Sequence, residues 1–493
     1  MNKEIELWAD SFHEGNWCCS NLAIIAKENG FSVEKSYIKG FIPTFLYKHG
    51  DDSIKLTVYG SYRSWDPIPE KVADLIDWGK PDFLAFDKND NKIIFAVEET
   101  AAIPTGNQAL QRCERQYGSS RAKVPYWYLI SEFGVHKDGG VRRDSIWPSI
   151  AGIKLSIHNK TPSIVLHYSD IENPEDYQSG SGVNSLFNTL FLFLKNHMEN
   201  KNVYVGTHKY LEIQYREMIQ FINSQWESII DFLPGIGLLD KKETPLILSE
   251  VSTGNIQRQN ELKDLLRWPV IKDVPNTVKS KWSSKDLIKF DPLCFEFEQD
   301  ISRGKAYYLS DNAGSGRPPS TADLKGYIEG QKKLFEKAPK VNPPIKFGMK
   351  IDDFPLTDTG RRHVTTAKNI VYLYDSWNEL IKTIVKAYPR LKNHLQPVED
   401  DTPVFVYISN SVKKGRLFGD PFTGQISAYS TVFGKFDNPR RRVLVYFPHQ
   451  CFSQCFSKGK IEKNKGTTLY TELTDLIIFN EGVAVNLERQ EIM

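Results

Sequence analysis

The sequence predicts an α/β protein of mixed α+β character, with several domains, a mixed helix-flanked sheet at the start and a β-rich part at the end. Three observations carry that expectation. The chain has 493 residues, too many for one ordinary core. Apolar residues make up 40% and charged residues 25%, which are ordinary globular values. Short apolar runs of strand length alternate with longer runs of helical period through the first two hundred residues.

The first segment begins with an amphipathic helical pattern in "CCSNLAIIAKENGF", followed by strand patterns in "KLTVYGSYR", "DFLAFD" and "KIIFAVEE". The last two strands flank "FDKNDNK", an Asp/Asn-rich turn, which predicts an antiparallel hairpin. A helix is expected over "GNQALQRCERQYGSSRAK" and a buried strand over "VPYWYLISEFG", giving the order strand, turn, strand, helix, strand. Helical patterns resume in "SLFNTLFLFLKNHM" and "YLEIQYREMIQFINSQWESIIDFL". Later helices are expected at "TADLKGYIEGQKKLFEKA" and "SWNELIKTIVKAY", between the loops "NAGSGRPPST" and "KVNPPIKFG". From "PVFVYIS" onward the pattern is β-rich. The expected domains are therefore residues 1–200, 201–395 and 396–493, with no internal repeat.

The longest apolar segment, "SLFNTLFLFLK", is broken by Asn188 and closed by Lys195, so it reads as a core helix and no membrane span is expected. Acids in "MNKEIELWADSF" argue against a secretory leader, and six cysteines without framework spacing fit a reducing, cytoplasmic setting. Net charge is +2, which by itself selects no class of partner. Its distribution is uneven: residues 411–465 carry eleven Lys or Arg against three acids. With interleaved "RLFGDPFTGQISAYSTVF" and "PRRRVLVYFPHQ", that segment is expected to supply phosphate and base contacts to DNA.

The chemistry concentrates where "IIFAV" runs into Glu98 and Glu99. Carboxylates ending a buried strand must either take up a proton or find a cation. Strand alternation places Ile94, Ala96, Glu98 and Thr100 on one face and Phe95, Val97 and Glu99 on the other. Asp82 opens the preceding strand, and a short hairpin brings it level with Glu98. Two such carboxylates form a hard oxygen site suited to Mg²⁺.

"PD" at Pro81 and Asp82, the strand "IIFAVEET" and the Gln/Arg-rich helix after it together resemble the PD-(D/E)xK nuclease superfamily, most of all its type II restriction-endonuclease branch. The resemblance covers about fifty residues. It implies a restriction-endonuclease-like fold for the N-terminal domain, with Asp82 and Glu98 as Mg²⁺ ligands and the Glu99 carbonyl facing the metal. It also implies double-stranded DNA as substrate, a homodimer to cut both strands, and a cognate DNA methyltransferase as a possible companion. The family's lysine falls on Thr100, a departure that leaves the water-orienting role open. Lys80, Gln108, Gln111 and Arg112 are candidates for it; Gln108, Gln111, Arg112 and Arg115 form a polar stripe along one side of the helix. The rival expectation is a DNA-binding or defence-complex subunit that keeps the fold without catalysis.

Other constellations carry less. His449, Cys451 and Cys455 have zinc-ligand chemistry but no familiar zinc spacing or fourth ligand. Glu296 and Glu298 after Asp291 form a second possible metal pair, too close in sequence for the nuclease hairpin. His158 and Lys160 lack the aspartate of a phospholipase-D-like motif, and "NAGSGRPPS" lacks the lysine of a P-loop.

Overall fold

The structure is a computed structural model; it describes residues 2–60, 62, 67–100, 106–131, 147–168, 181–229, 304–309, 369–409, 418–419, 422–447, 450–456 and 459–493. Two sheets organise them. The first contains β1 (Asn2–Ala9), β2 (Ser32–Ile38), β3 (Ile42–His49), β4 (Asp52–Tyr59), β5 (Phe83–Asp87), β6 (Lys92–Thr100), β7 (Tyr126–Ser131) and β8 (Ser163–Tyr168). Its order is β2-β3-β4-β1-β5-β6-β7-β8, and it is mixed: β1 runs antiparallel to β5, β5 to β6, while β6, β7 and β8 are parallel.

The helices of this body are α1 (Phe12–Glu28), α2 (Glu70–Ile76), α3 (Gly106–Gln111), α4 (Cys113–Arg121), α5 (Trp147–Asn159), α6 (Ser181–Met198) and α7 (His208–Ile229). Helix α1 starts where the Ser11 hydroxyl accepts the Glu14 amide, an N-cap that satisfies one orphan donor. Helices α6 and α7 cover the sheet beside α1. The indole of Trp127 on β7 donates to Gln214 of α7 at 2.7 Å, and Trp17 of α1 meets Phe187 of α6 edge to face at 5.3 Å. Helix α7, beyond residue 200, thus shares the core of the first sheet. Helices α3, α4 and α5 lie on the opposite face, where the Tyr128 phenol donates to the Ala109 carbonyl of α3 at 3.2 Å.

The second sheet contains β9 (Gly304–Leu309), β10 (Asn369–Tyr374), β11 (Val404–Ser409), β12 (Arg442–Phe447), β13 (Leu476–Phe479), β14 (Ala484–Asn486) and β15 (Glu491–Ile492), in the order β15-β14-β13-β12-β11-β10-β9. Its helices are α8 (Trp377–Ala387), α9 (Phe422–Phe433), α10 (Phe452–Cys455) and α11 (Lys465–Leu473). Strands β11, β12 and β13 are parallel and joined through α9 and α11. Apart from Ser409 at the end of β11 and Arg442 at the start of β12 their residues are near-continuously apolar, because both faces are covered. Val404, Val406, Leu444 and Tyr446 join the core under α8, while Phe405, Tyr407, Val443 and Val445 join the core under α9. The border expected between residues 395 and 396 falls between β10 and β11, which are hydrogen-bonded neighbours.

Helix α9 links the two bodies, packing against α3, α4 and α5 as well as β11 and α11. A Cβ on Gly424 would lie 1.9 Å from the Leu110 carbonyl oxygen, so only glycine allows that approach. Lys154 of α5 is buried and bridges the same junction, its Nζ 2.6 Å from the Val432 carbonyl and 3.0 Å from Asp437. Every residue of α9 is buried, so Phe422–Phe433, which the sequence suggested for DNA contact, forms interior instead.

Candidate active site at the β5 and β6 strand ends

The β5–β6 hairpin pairs Phe83 with Val97, so Asp82 and Glu98 come level at its open end. Asp82 is partly buried and held by backbone on two sides. Its Oδ2 accepts the Glu99 amide at 2.5 Å, and its carbonyl accepts the Asp10 amide at 2.8 Å. The Tyr62 phenol donates to the Pro81 carbonyl at 2.5 Å, which fixes the turn before it.

Glu98 is fully buried. Its Oε1 takes two guanidinium contacts, Arg112 Nε at 3.1 Å and Arg115 Nη1 at 3.1 Å, while Oε2 has no hydrogen-bond partner among the described residues. The two glutamates point to opposite sides of the sheet. Glu98 registers with Tyr128, which faces α3, and Val97 and Glu99 register with Trp127 and Leu129. The group of Glu99 that reaches Asp82 is its backbone amide.

A third acid belongs here that the sequence reading did not select. Glu14, in the first turn of α1, has a buried Oε2 with no hydrogen-bond partner among the described residues and repels the Asp82 charge. The spacing Ser11-x-x-Glu14 before "WCCSNLAII" is a helix-start signature, so a sequence signal existed, although it marks a cap rather than a site.

Electrostatics follow from this crowding. Burial pushes Asp82 up to about 7, opposed by the Glu99 amide and reinforced by Glu14. Burial also pushes Glu98 well above the usual carboxylate range; Arg115 opposes this and Asp82 adds to it. Glu14 is raised too, chiefly by burial. Glu14 opposes the ionisation of Asp82 and Asp82 that of Glu98, and the paired carboxyls Asp82 and Glu98 are the hard oxygen donors a divalent cation would take, although the ligand atoms of the three acids do not all lie within 4.8 Å of one another.

The remaining candidates are scattered. Thr100 is buried at the end of β6 beside Ile130. Lys80 is exposed, with its Nζ 6.0 Å from the centre of the Tyr62 ring. Gln108 lies in α3, its side chain outside the described residues, and Gln111 ends that helix just before a break at Arg112. Arg115, on the expected polar stripe, is the cation that acts on both Asp82 and Glu98.

Elsewhere, Asp87, Asp90 and His197 form the one trio, among the described residues, whose ligand atoms all lie within 4.8 Å. It sits at the other end of β5 and already holds a cation. Lys3 Nζ is 2.6 Å from Asp90 and 3.4 Å from Asp87, and His197 Nε2 is 2.6 Å from Asp87. Cys451 contacts Asn480, while His449, Asp291, Glu296 and Glu298 lie outside the described residues. In the basic C-terminal segment, Arg441 pairs with Asp437 at 2.7 Å, Lys435 with Asp475 at 2.9 Å, and Arg442 stacks on Trp377. Lys413, Lys414 and Arg416 lie outside the described residues. No helix among the described residues is long and apolar enough to cross a membrane. No protein-family model, curated protein or solved structure matches this chain.

Proposed function

We propose that the chain is a divalent-metal-dependent endonuclease acting on double-stranded DNA, of the PD-(D/E)xK type, with Asp82, Glu98 and Glu14 as its carboxylates. One observation carries this reading: a hairpin sets Asp82 level with Glu98 at a strand end, with buried carboxylate oxygens on Glu98 and Glu14 that no donor among the described residues satisfies. The mixed order β5, β6, α3/α4, β7 gives the strand, turn, strand, helix, strand arrangement on which the resemblance rests.

When bound, Mg²⁺ supplies an activated water and neutralises charge growing on the phosphodiester. The chain's own residues set the stage. The Glu99 amide orients Asp82, and Arg112 with Arg115 fixes one oxygen of Glu98 and leaves the other to act as ligand. Arg115 supplies the positive charge that Thr100 cannot, aimed at both acids from α4. An arginine does not take up the water's proton near neutral pH, so its role is charge and orientation. Cutting both strands calls for two such sites, hence a dimer on DNA.

The second reading is a DNA-binding subunit without catalysis. Two features favour it: Thr100 at the lysine position, and the double arginine contact that already neutralises Glu98. Incubating purified protein with long mixed-sequence duplex and Mg²⁺ or Mn²⁺ separates the two. Cleavage lost in both Asp82→Ala and Glu98→Ala supports the nuclease; intact DNA under every metal, with a retained gel shift, supports the binding subunit.

A further inference from the structure

The β2–β3 hairpin ends in an apolar tip. Tyr37 is 54% exposed, Ile38 38% and Phe41 50%, three of the seven exposed large hydrophobic residues among those described. These three side chains fall within five successive residues and form one contiguous apolar patch, the kind of surface that marks an interaction site. The turn is tight: the Phe41 amide donates to the Ile38 carbonyl at 3.2 Å, with Lys39 at φ 51° and Gly40 at φ 81°, the left-handed pair that a twisted hairpin requires.

Its position ties it to the carboxylates. The Phe41 ring meets Phe12 edge to face at 6.3 Å, and Phe12 is the first residue of α1, in the same turn as Glu14. Asp10, two residues before Phe12, donates its amide to the Asp82 carbonyl. The hairpin tip thus lies at the same end of the sheet as Asp82, with β4 and β1 between β3 and β5. Its charge is positive, since residues 35–41 hold Lys35 and Lys39 and no acid. Lys35 is braced by Asn16 at 2.6 Å and lies 5.4 Å from the Tyr37 ring.

We infer that this tip is a nucleic-acid wedge: Tyr37, Ile38 and Phe41 insert into a groove or against unstacked bases of duplex DNA, with Lys39 on an adjacent phosphate. Apolar side chains entering between base steps and lysines on the backbone are how proteins grip and bend a duplex beside a reactive phosphate. The partner is taken to be duplex DNA because the inference rests on the nuclease reading of the neighbouring acids.

The test is binding of fluorescently labelled mixed-sequence duplex to the full-length protein, without divalent metal, across a salt series. Tyr37→Ala/Phe41→Ala is expected to weaken binding at least about tenfold while leaving the slope of log affinity against log salt unchanged. Lys39→Ala is expected to lower that slope by about one. Melting temperatures check folding, because Phe41 also packs on Phe12. Wild-type binding by the double variant overturns the inference, as does a wild-type protein with no affinity for duplex. Sedimentation showing a wild-type dimer that the double variant dissociates, with DNA affinity unchanged, also overturns it and makes the tip a contact between copies. Normal cutting by the double variant refutes the wedge and spares the nuclease reading. Binding lost through the tip in a protein that never cuts refutes the nuclease reading and spares the wedge.

Discussion

Asp82→Asn removes one charge from the acid cluster while keeping an oxygen to accept the Glu99 amide. In the fold, burial moves the Asp82 carboxyl from 3.8 to about 7. The folded protein therefore holds this proton more tightly than the unfolded chain does. The associated stability is fully present below about pH 3.8 and is lost as pH rises to about 7. At roughly 1.4 kcal/mol per pH unit the ceiling is about 4 kcal/mol, and solvent at the edge of this partly buried group reduces it to about 2 kcal/mol. Asparagine lacks that penalty. Without metal, Asp82→Asn should be more stable than wild type by about 2 kcal/mol at pH 8, with the advantage shrinking toward pH 4. Thermal melts from pH 4 to 8 read this as a shift of a few degrees, since large domains move about 2–4 °C per kcal/mol. Added Mg²⁺ should reverse the order at pH 8, because an ion stabilises the ionised wild-type carboxyl and not the amide. Parallel pH profiles for the two proteins, with and without metal, would refute the electrostatic reasoning.

Four further outcomes follow from the same contacts. Arg115→Ala leaves buried Glu98 with Arg112 alone, and should cost about 3 kcal/mol in denaturant unfolding; adding Glu98→Gln should recover part of it. Lys154→Ala breaks a buried pair with Asp437 between the two bodies and should cost about 3–5 kcal/mol, read as a lowered first melting transition. Gly424→Ala forces a Cβ against the Leu110 carbonyl, so α9 must back away from α3; a loss of about 1–3 kcal/mol is expected in the same melt. At the far end of β5, burial works against Asp87, yet the Asp90 amide and His197 hold its carboxyl below the usual range. Its contribution is present above about pH 4 and lost as pH falls through the folded value, so Asp87→Asn should destabilise at pH 7 and converge with wild type in acid melts.

The hairpin and the helix after it were legible because their signals are local: "KNDN" can only turn, and "IIFAV" can only be buried. Strand β1 was missed although "KEIELWA" alternates charged and apolar residues; its neighbours β4 and β5 lie far along the chain, and no turn announces it. Strand β2 carries almost no pattern because it is an exposed edge. Helix α9 was hidden because "FTGQISAYSTVF" is buried all round, so no polar face sets a period, and its small residues serve packing against α3 and α4. At the site, Asp82 and Glu98 could be found from spacing along one hairpin. Glu14 could not, because it reaches Asp82 only through the fold that lays α1 across the middle of the sheet, over β1 and β5. The two arginines on Glu98 were visible as a stripe but not as a clamp, since their target is set by the angle of α4 to β6.

Whether Asp82 and Glu98 hold a divalent cation, as proposed, is tested most directly by a Mn²⁺ titration followed by electron paramagnetic resonance at pH 8. Saturable binding that is lost in Asp82→Asn and Glu98→Gln but kept in Asp87→Asn is the predicted result. Binding unchanged in the first two variants, or lost only in Asp87→Asn, would contradict it.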